Sequence, residues 1–370
     1  MTKPLVSVVI PAYNHGNYIV KTFESLINQT YENMELIVID DGSSDNTLLV
    51  IQDYEQKLVD RFSKVIVKSQ KNQGICKTFN NGIQLSEGKY IFICPSDDVF
   101  SENFVCKQIC YLEENKDYSC SYTDGINLNS SELDIHDYSK GNVFSELFTF
   151  KSGDLRWFML DNYLNLPTPS FIYRASIFEE IGLFDETLKF EDVDMFLRIS
   201  KYNKMGCINE KLFYRRLHNT NSGRNPDIII KGLKQIIEKY SLDPDYSEEE
   251  KHKLIHNLSK DIEILEGKYK KNQFIKTENF KDFVNNKKLY VWGTGTYAKD
   301  LLDSQSSKLE VSLFIESLPK RQTFLNKKVI SSQALLQLEK DYFILIASSY
   351  KEEIVKWLDN NGFERDKDYM

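Results

Sequence analysis

The chain has 370 residues, enough for two domains. Its 47 Lys and Arg are interspersed with 55 Asp and Glu for a net charge of −8, which excludes the concentrated basic footprint of a nucleic-acid binder. Six cysteines without a Cys-x-x-Cys pair read as reduced structural thiols, and no apolar stretch is long enough to span a membrane.

The first strand reads as Val6-Ser7-Val8-Val9-Ile10 and starts so near residue 1 that no signal peptide is expected, which points to a cytoplasmic location. Pro11-Ala12-Tyr13-Asn14 follows it, and then Asn17 to Gln29 predicts an amphipathic helix with Ile19, Phe23, Leu26 and Ile27 on one face. A second apolar run, Leu36-Ile37-Val38-Ile39, ends in Asp40-Asp41-Gly42-Ser43-Ser44-Asp45. A third, Tyr90-Ile91-Phe92-Ile93-Cys94-Pro95, ends in Ser96-Asp97-Asp98. Strands without polar alternation, separated by helices, predict a parallel sheet covered on both faces. Turns favour Asp after any strand. Yet Tyr13 and Asn14, Asp40 and Asp41, and Asp97 and Asp98 all fall at the carboxyl edge, where open α/β sheets bind ligands and where carboxylates suit Mg²⁺ or Mn²⁺.

Further on, Val193, Phe196 and Leu197 define the apolar face of a helix that begins near Glu191-Asp192. An acidic pair there also suits the helix dipole alone. Asp194 is turned about 200° from Asp192 around that helix. His218 follows Tyr214-Arg215-Arg216-Leu217 and precedes a segment ending in Arg224; an imidazole can ligate a metal and arginines can pair with phosphate.

Three segments are expected: residues 1–225 as the first α/β domain, 226–286 as a helical linker, and 287–370 as a second α/β domain. Asp227–Tyr240, Ser247–Leu265 and Asn279–Val284 read as the linker's helices, with Ser247 and Glu250 forming a capping box. In the last segment Leu289-Tyr290-Val291-Trp292 leads into Gly293-Thr294-Gly295-Thr296-Tyr297-Ala298, a helix is expected at Tyr297–Leu302, Glu316 ends the next strand, and Phe343–Ala347 reads as another. This resembles a Rossmann-type phosphate loop. The unit is about half a full dinucleotide domain, which favours a structural or oligomerising module, a homo-oligomer contact, over ligand binding.

Ile10-Pro11-Ala12-Tyr13-Asn14, Asp40-Asp41-Gly42-Ser43-Ser44-Asp45, Asn72-Gln73-Gly74, Ser96-Asp97-Asp98 and Glu191-Asp192 occur in the order found in bacterial family 2 glycosyltransferases, and residues 4–224 resemble that family. The resemblance implies the GT-A fold, a mostly parallel sheet flanked by helices, and transfer of a sugar from a nucleotide-diphospho-sugar, by family preference a UDP-sugar. It implies Mn²⁺ or Mg²⁺, with Asp98 the direct ligand, His218 a further ligand, and Asp97 on the ribose or on the metal through water. Pro11, Tyr13, Asp41 and Glu191 fall among the donor-binding positions, with Tyr13 facing the base and Asp41 its ring N–H. Asp192 is assigned the base that deprotonates the acceptor, which implies single displacement with inversion. Many relatives carry an Arg where this chain has Phe79; Lys77 is the candidate replacement toward the diphosphate, a solvated Lys the alternative.

The acceptor would be a glycan or a lipid-linked sugar, the latter bringing the chain to the inner face of a membrane. Trp157, Tyr163, Pro167-Thr168-Pro169-Ser170 and Tyr122-Thr123-Asp124 border the expected acceptor side, although core packing explains the aromatics equally well. A nucleotidyltransferase is disfavoured because no glycine-rich basic loop follows Val9-Ile10. The alternative from another class is a non-catalytic nucleotide-sugar-binding scaffold subunit of a glycan assembly complex.

Overall fold

The computed structural model describes residues 3–129, 142–147, 150–164, 166–218, 221, 226–276, 287–294, 298, 311–317, 319, 321–347, 351–364 and 367–369. The chain divides into two compact units, Met1–Glu266 and Gly267–Met370.

The first unit opens with β1 (Val6–Ala12), α1 (Ile19–Ile27), β2 (Met34–Asp40), α2 (Thr47–Arg61), β3 (Val65–Ser69), α3 (Ile75–Leu85) and β4 (Tyr90–Ile93). Then come β5 (Val99–Phe100), α4 (Phe104–Glu114), β6 (Tyr118–Asn129), β7 (Asn142–Val143), α5 (Phe144–Leu147), β8 (Gly153–Asp154) and α6 (Arg156–Asn162). It closes with β9 (Ile172–Arg174), α7 (Ser176–Ile181), α8 (Glu191–Tyr202), β10 (Lys204–Leu217), α9 (Pro226–Ser241) and the part of α10 (Glu248–Lys276) up to Glu266. The sheet order is β3-β2-β1-β4-β9-β6-β10-β5, with β7 on β6 and β8 on β10. β3, β2, β1 and β4 run parallel, as do β6 and β10, while β9 and β5 are antiparallel to their neighbours.

β1 and β2 are buried along their whole length, as their unbroken apolar sequence predicts. The pleat sends alternate residues into two apolar layers. Val8, Ile10, Leu36, Val38 and Phe92 pack with α1, α2 and α4, while Val9, Ile37, Ile39, Ile91 and Ile93 pack on the other face with α3 and α8. Phe92 is fully buried, its ring 5.0 Å from Phe100 and 4.9 Å from Phe104. Truncating it to Ala would cost about 3–5 kcal/mol.

The helical segment departs from the expected linker. Leu233, Ile236 and Tyr240 of α9, Tyr246, and Leu254, Leu258 and Ile262 of α10 join the second of these layers, so the first unit extends through residue 266. The capping box forms: Ser247 N and Oγ each donate to Glu250 Oε2 at 2.8 Å, and Glu250 N donates to Ser247 Oγ at 3.3 Å. The expected helix at 279–284 lies outside the described residues.

The second unit contains β11 (Lys288–Trp292), β12 (Val311–Glu316), β13 (Thr323–Phe324), β14 (Lys327–Ser331), α11 (Ser332–Leu335), β15 (Tyr342–Ile346) and α12 (Lys351–Asn360). Its sheet order is β13-β14-β12-β11-β15, parallel except for β13. Leu289 and Val291 face one apolar layer, Tyr290 and Trp292 the other. Among the described residues no helix is long and apolar enough to cross a membrane.

Candidate active site

The carboxyl edge of the large sheet is laced together by its loops. Asn14, at a left-handed φ of 54°, accepts the N–H of Ser44 on Oδ1 at 2.7 Å. Gly42 has φ 73°, and a Cβ there would lie 2.8 Å from Asn72 N, so only glycine lets the β2 turn meet the Asn72 turn. Asp41 backs the same junction, with Oδ1 accepting Gln70 Nε2 and Gln73 N at 2.8 and 2.9 Å and Oδ2 accepting Gly74 N at 2.9 Å. Asp40 orders the turn, accepting Ser69 Oγ at 3.1 Å. Tyr13 is 47% exposed.

At the end of β4 the two adjacent carboxylates part company. Asp98 Oδ1 accepts the backbone N–H of Arg216 at 2.8 Å, and the Asp98 carbonyl accepts Thr22 Oγ1 at 2.8 Å. Burial, and then the charge of Asp97, push the Asp98 carboxyl well above the usual carboxylate range. Asp97 turns the other way: its Oδ2 lies 2.9 Å from His218 Nε2, and its carbonyl accepts Arg216 Nε at 3.0 Å. Burial would raise the Asp97 carboxyl, but the bond to His218 and the two imidazoles beside it hold it below the ordinary value.

The third member of this cluster is His15. Its Nδ1 lies 2.8 Å from Ser96 Oγ, and burial holds its pKa down against the pull of Asp97. Tyr18 stacks on His218 at 4.7 Å and meets His15 edge-on at 5.7 Å. One ligand atom each from His15, Asp97 and His218 all lie within 4.8 Å of one another. Two imidazoles and a carboxylate are a donor set suited to a divalent cation of borderline hardness. Asp98, expected as the direct ligand, gives Oδ1 to the backbone N–H of Arg216 and is not one of the three residues whose ligand atoms meet here.

The second acidic centre lies on the same edge. β9 pairs antiparallel with β4, Phe92 opposite Ile172, which brings the chain just before Ile172 alongside the chain just after Phe92. In that stretch Thr168 Oγ1 donates to Asp192 Oδ2 at 2.8 Å, and Asp192 Oδ1 accepts Val193 N at 2.8 Å. Glu191 beside it is pushed up to about 8 by burial and by the charge of Asp192. Asp194 instead faces the core, bound to Arg198 at 2.9 Å and Lys239 at 2.8 Å. Lys77 pairs with Glu186 at 3.1 Å on the segment leading into α8, and Asn80 binds the same carboxylate at 2.9 Å.

The expected acceptor residues separate. Tyr122 and Tyr163 are buried, their hydroxyls donating to Lys151 O and Asp261 Oδ2 at 2.7 and 2.6 Å, whereas Trp157 is 48% exposed. Asp124 is buried and accepts Ser145 Oγ at 2.6 Å. Residues 219, 220 and 222–225, Arg224 among them, lie outside the described residues, as do 295–297 of the glycine loop. In the second unit Thr294 is buried and its hydroxyl binds Glu316. Sequence reasoning passed over His15; its only signal was a metal-capable side chain directly after a strand-end turn already singled out.

The sequence pattern described as glycosyl transferase family 2 matches residues 7–182, and one described as C2185-like, N-terminal, matches residues 285–368. The chain is 31% identical over 226 residues to glycosyltransferase GlyG of Streptococcus pneumoniae, covering 57% of this chain and 71% of GlyG. It is 32% identical over 224 residues to chondroitin synthase of Escherichia coli, covering 59% of this chain and 30% of that protein. The chain thus spans about a third of the length of several curated relatives it matches, 31%, 30% and 28%. In fold it resembles S. aureus TarS 1–349, crystallised in complex with UDP-GlcNAc, with a TM-score of 0.53 at 20% identity over 68% of this chain and 71% of that one.

Proposed function

The chain belongs to glycosyl transferase family 2, and we propose that it is an inverting, cation-dependent transferase moving a sugar from a UDP-sugar to a hydroxyl of a glycan or lipid-linked acceptor in surface polysaccharide synthesis. The observation that carries this reading is the meeting, on one sheet edge, of the Asp97–imidazole cluster and a separately held acid, Asp192. TarS, which shares the fold, was crystallised with UDP-GlcNAc, which supports a UDP-sugar donor.

Asp97 and His218 are the residues to hold Mn²⁺ or Mg²⁺, which when bound supplies Lewis-acid stabilisation of the diphosphate. Asp192 takes the proton from the acceptor hydroxyl as its oxygen attacks the anomeric carbon from the side opposite the departing diphosphate. Thr168 holds that carboxylate in place. Glu191, raised to about 8 by burial and by the charge of Asp192, keeps its proton at neutral pH. Tyr13 offers a ring face to the base, Pro11 belongs to the strand end that leads into it, and Asp41 keeps acceptor capacity for a ring N–H. Lys77 can exchange Glu186 for a phosphate oxygen. We assign the reaction to the cytoplasm, at the inner membrane face where the acceptor is lipid-linked.

The test is nucleotide release from a panel of sugar nucleotides, with Mn²⁺ and with EDTA. Release from one UDP-sugar that EDTA abolishes is the expected result. Tight binding with no turnover on any donor, with or without glycan acceptors, would favour the scaffold subunit instead.

A further inference from the structure

We infer that His15 is a third protein ligand at this site, completing a two-histidine, one-carboxylate set that captures a divalent cation before any nucleotide sugar arrives. The cation's use in transfer rests on the transferase reading above; its capture does not. Bond lengths of about 2.0–2.2 Å put ligand atoms around one cation about 3 Å apart when adjacent and about 4.3 Å apart when opposite. The 4.8 Å limit on the separations among His15, Asp97 and His218 matches that range with small adjustments.

His15 is held for the purpose from three directions. Its backbone N–H donates to Thr47 Oγ1 at 2.9 Å, and the next N–H, of Gly16, donates to Asp45 Oδ2 at 3.1 Å. A Cβ on Gly16 would lie 3.1 Å from the backbone N of Thr47, so this loop seats closely against the start of α2. On the ring, Nδ1 faces Ser96, the neighbour of Asp97; with the proton on Nδ1, Nε2 keeps the lone pair a metal needs. Tyr18 contacts both imidazoles and limits their rotation.

A carboxylate with one imidazole leaves most of a cation's shell to phosphate and water. A second imidazole raises affinity in the absence of phosphate. It also turns preference from Mg²⁺, which favours oxygen and sheds water reluctantly, toward Mn²⁺, Co²⁺ and Zn²⁺. Half of an octahedral shell stays open for the donor.

The experiment titrates the metal-stripped full chain, without nucleotide, with MnCl₂ and MgCl₂ by calorimetry, and counts nitrogen ligands on bound Mn²⁺ by electron spin-echo spectroscopy. One Mn²⁺ should bind at least tenfold more tightly than Mg²⁺, with two imidazole couplings. His15→Ala and His15→Gln should each weaken Mn²⁺ at least tenfold and leave one coupling. A single coupling in the wild type, or a folded His15 variant with unchanged affinity, overturns the inference. If neither variant folds, the wild-type nitrogen count decides. UDP-sugar turnover by a protein with one coupling leaves the transferase reading standing and removes this one; two couplings without turnover on any donor do the reverse.

Discussion

The two sheets of this chain share a strand order and differ in what stands at their carboxyl edges. β3-β2-β1-β4 in the first unit and β14-β12-β11-β15 in the second both run parallel, the earliest strand inside, the next two to one side and the fourth to the other. At the first edge, Asp97 meets two imidazoles and Asp192 is held by one hydroxyl and one amide. At the second, the hydroxyl of Thr294 binds Glu316, and Arg321 lies 3.9 Å from the same carboxylate. Strand order builds a crevice; a site also needs groups whose charge is aimed at a ligand.

The sharpest way to break that contrast is to neutralise one acid at each edge. Asp192→Asn should lower kcat by about 10²–10⁴-fold with little change in donor KM, the loss expected for a general base. Glu316→Gln should leave kcat within twofold. Steady-state nucleotide release measures both, and comparable losses at the two edges would abolish the distinction. Within the first edge, Asp97→Asn should weaken Mn²⁺ binding at least tenfold by calorimetry. Asp98→Ala should change metal affinity less and act mainly on the melting temperature, because it removes the acceptor of the buried Arg216 backbone N–H, a loss of about 1–3 kcal/mol.

Much of the first edge was legible in the sequence because its strands are apolar throughout, and their polar ends therefore stand out. What stayed hidden depended on partners distant in the chain. Asp97 and Asp98 are indistinguishable as neighbours; which one faces the imidazoles is decided by the Arg216 N–H, 118 positions away. His15 reads as one more loop residue until β10 brings His218 to Asp97. The helices of 226–266 were visible from their periodicity, but an apolar stripe says that a face will be buried and not against what. Only the fold joins Leu233, Ile236 and Tyr240 to the core.

Glu191 sharpens the comparison through stability. Its folded value of about 8 exceeds the ordinary 4.5, so between those pH values the native state holds a proton that the unfolded chain has released. Stability is then fully present below about pH 4.5 and is lost as pH rises toward 8, at about 1.4 kcal/mol per unit where the slope is steepest. Urea unfolding at pH 5, 6.5 and 8 should trace this decline in the wild type and a flatter line in Glu191→Gln. Parallel lines would mean that the acidic pair carries no such strain.

The smallest expected effect belongs to Thr168, whose hydroxyl donates to Asp192 Oδ2 at 2.8 Å. Thr168→Val keeps the side-chain shape and removes one hydrogen bond to a charged acceptor. If that bond orients the base, kcat should fall about five- to tenfold while donor KM holds, the pattern of an interaction that matters in the transition state. Thr168→Ser restores the donor and should restore kcat. A merely structural threonine would instead lower the melting temperature and leave kcat per folded molecule unchanged. That outcome would leave the amide of Val193 as the group that fixes the base at the active edge.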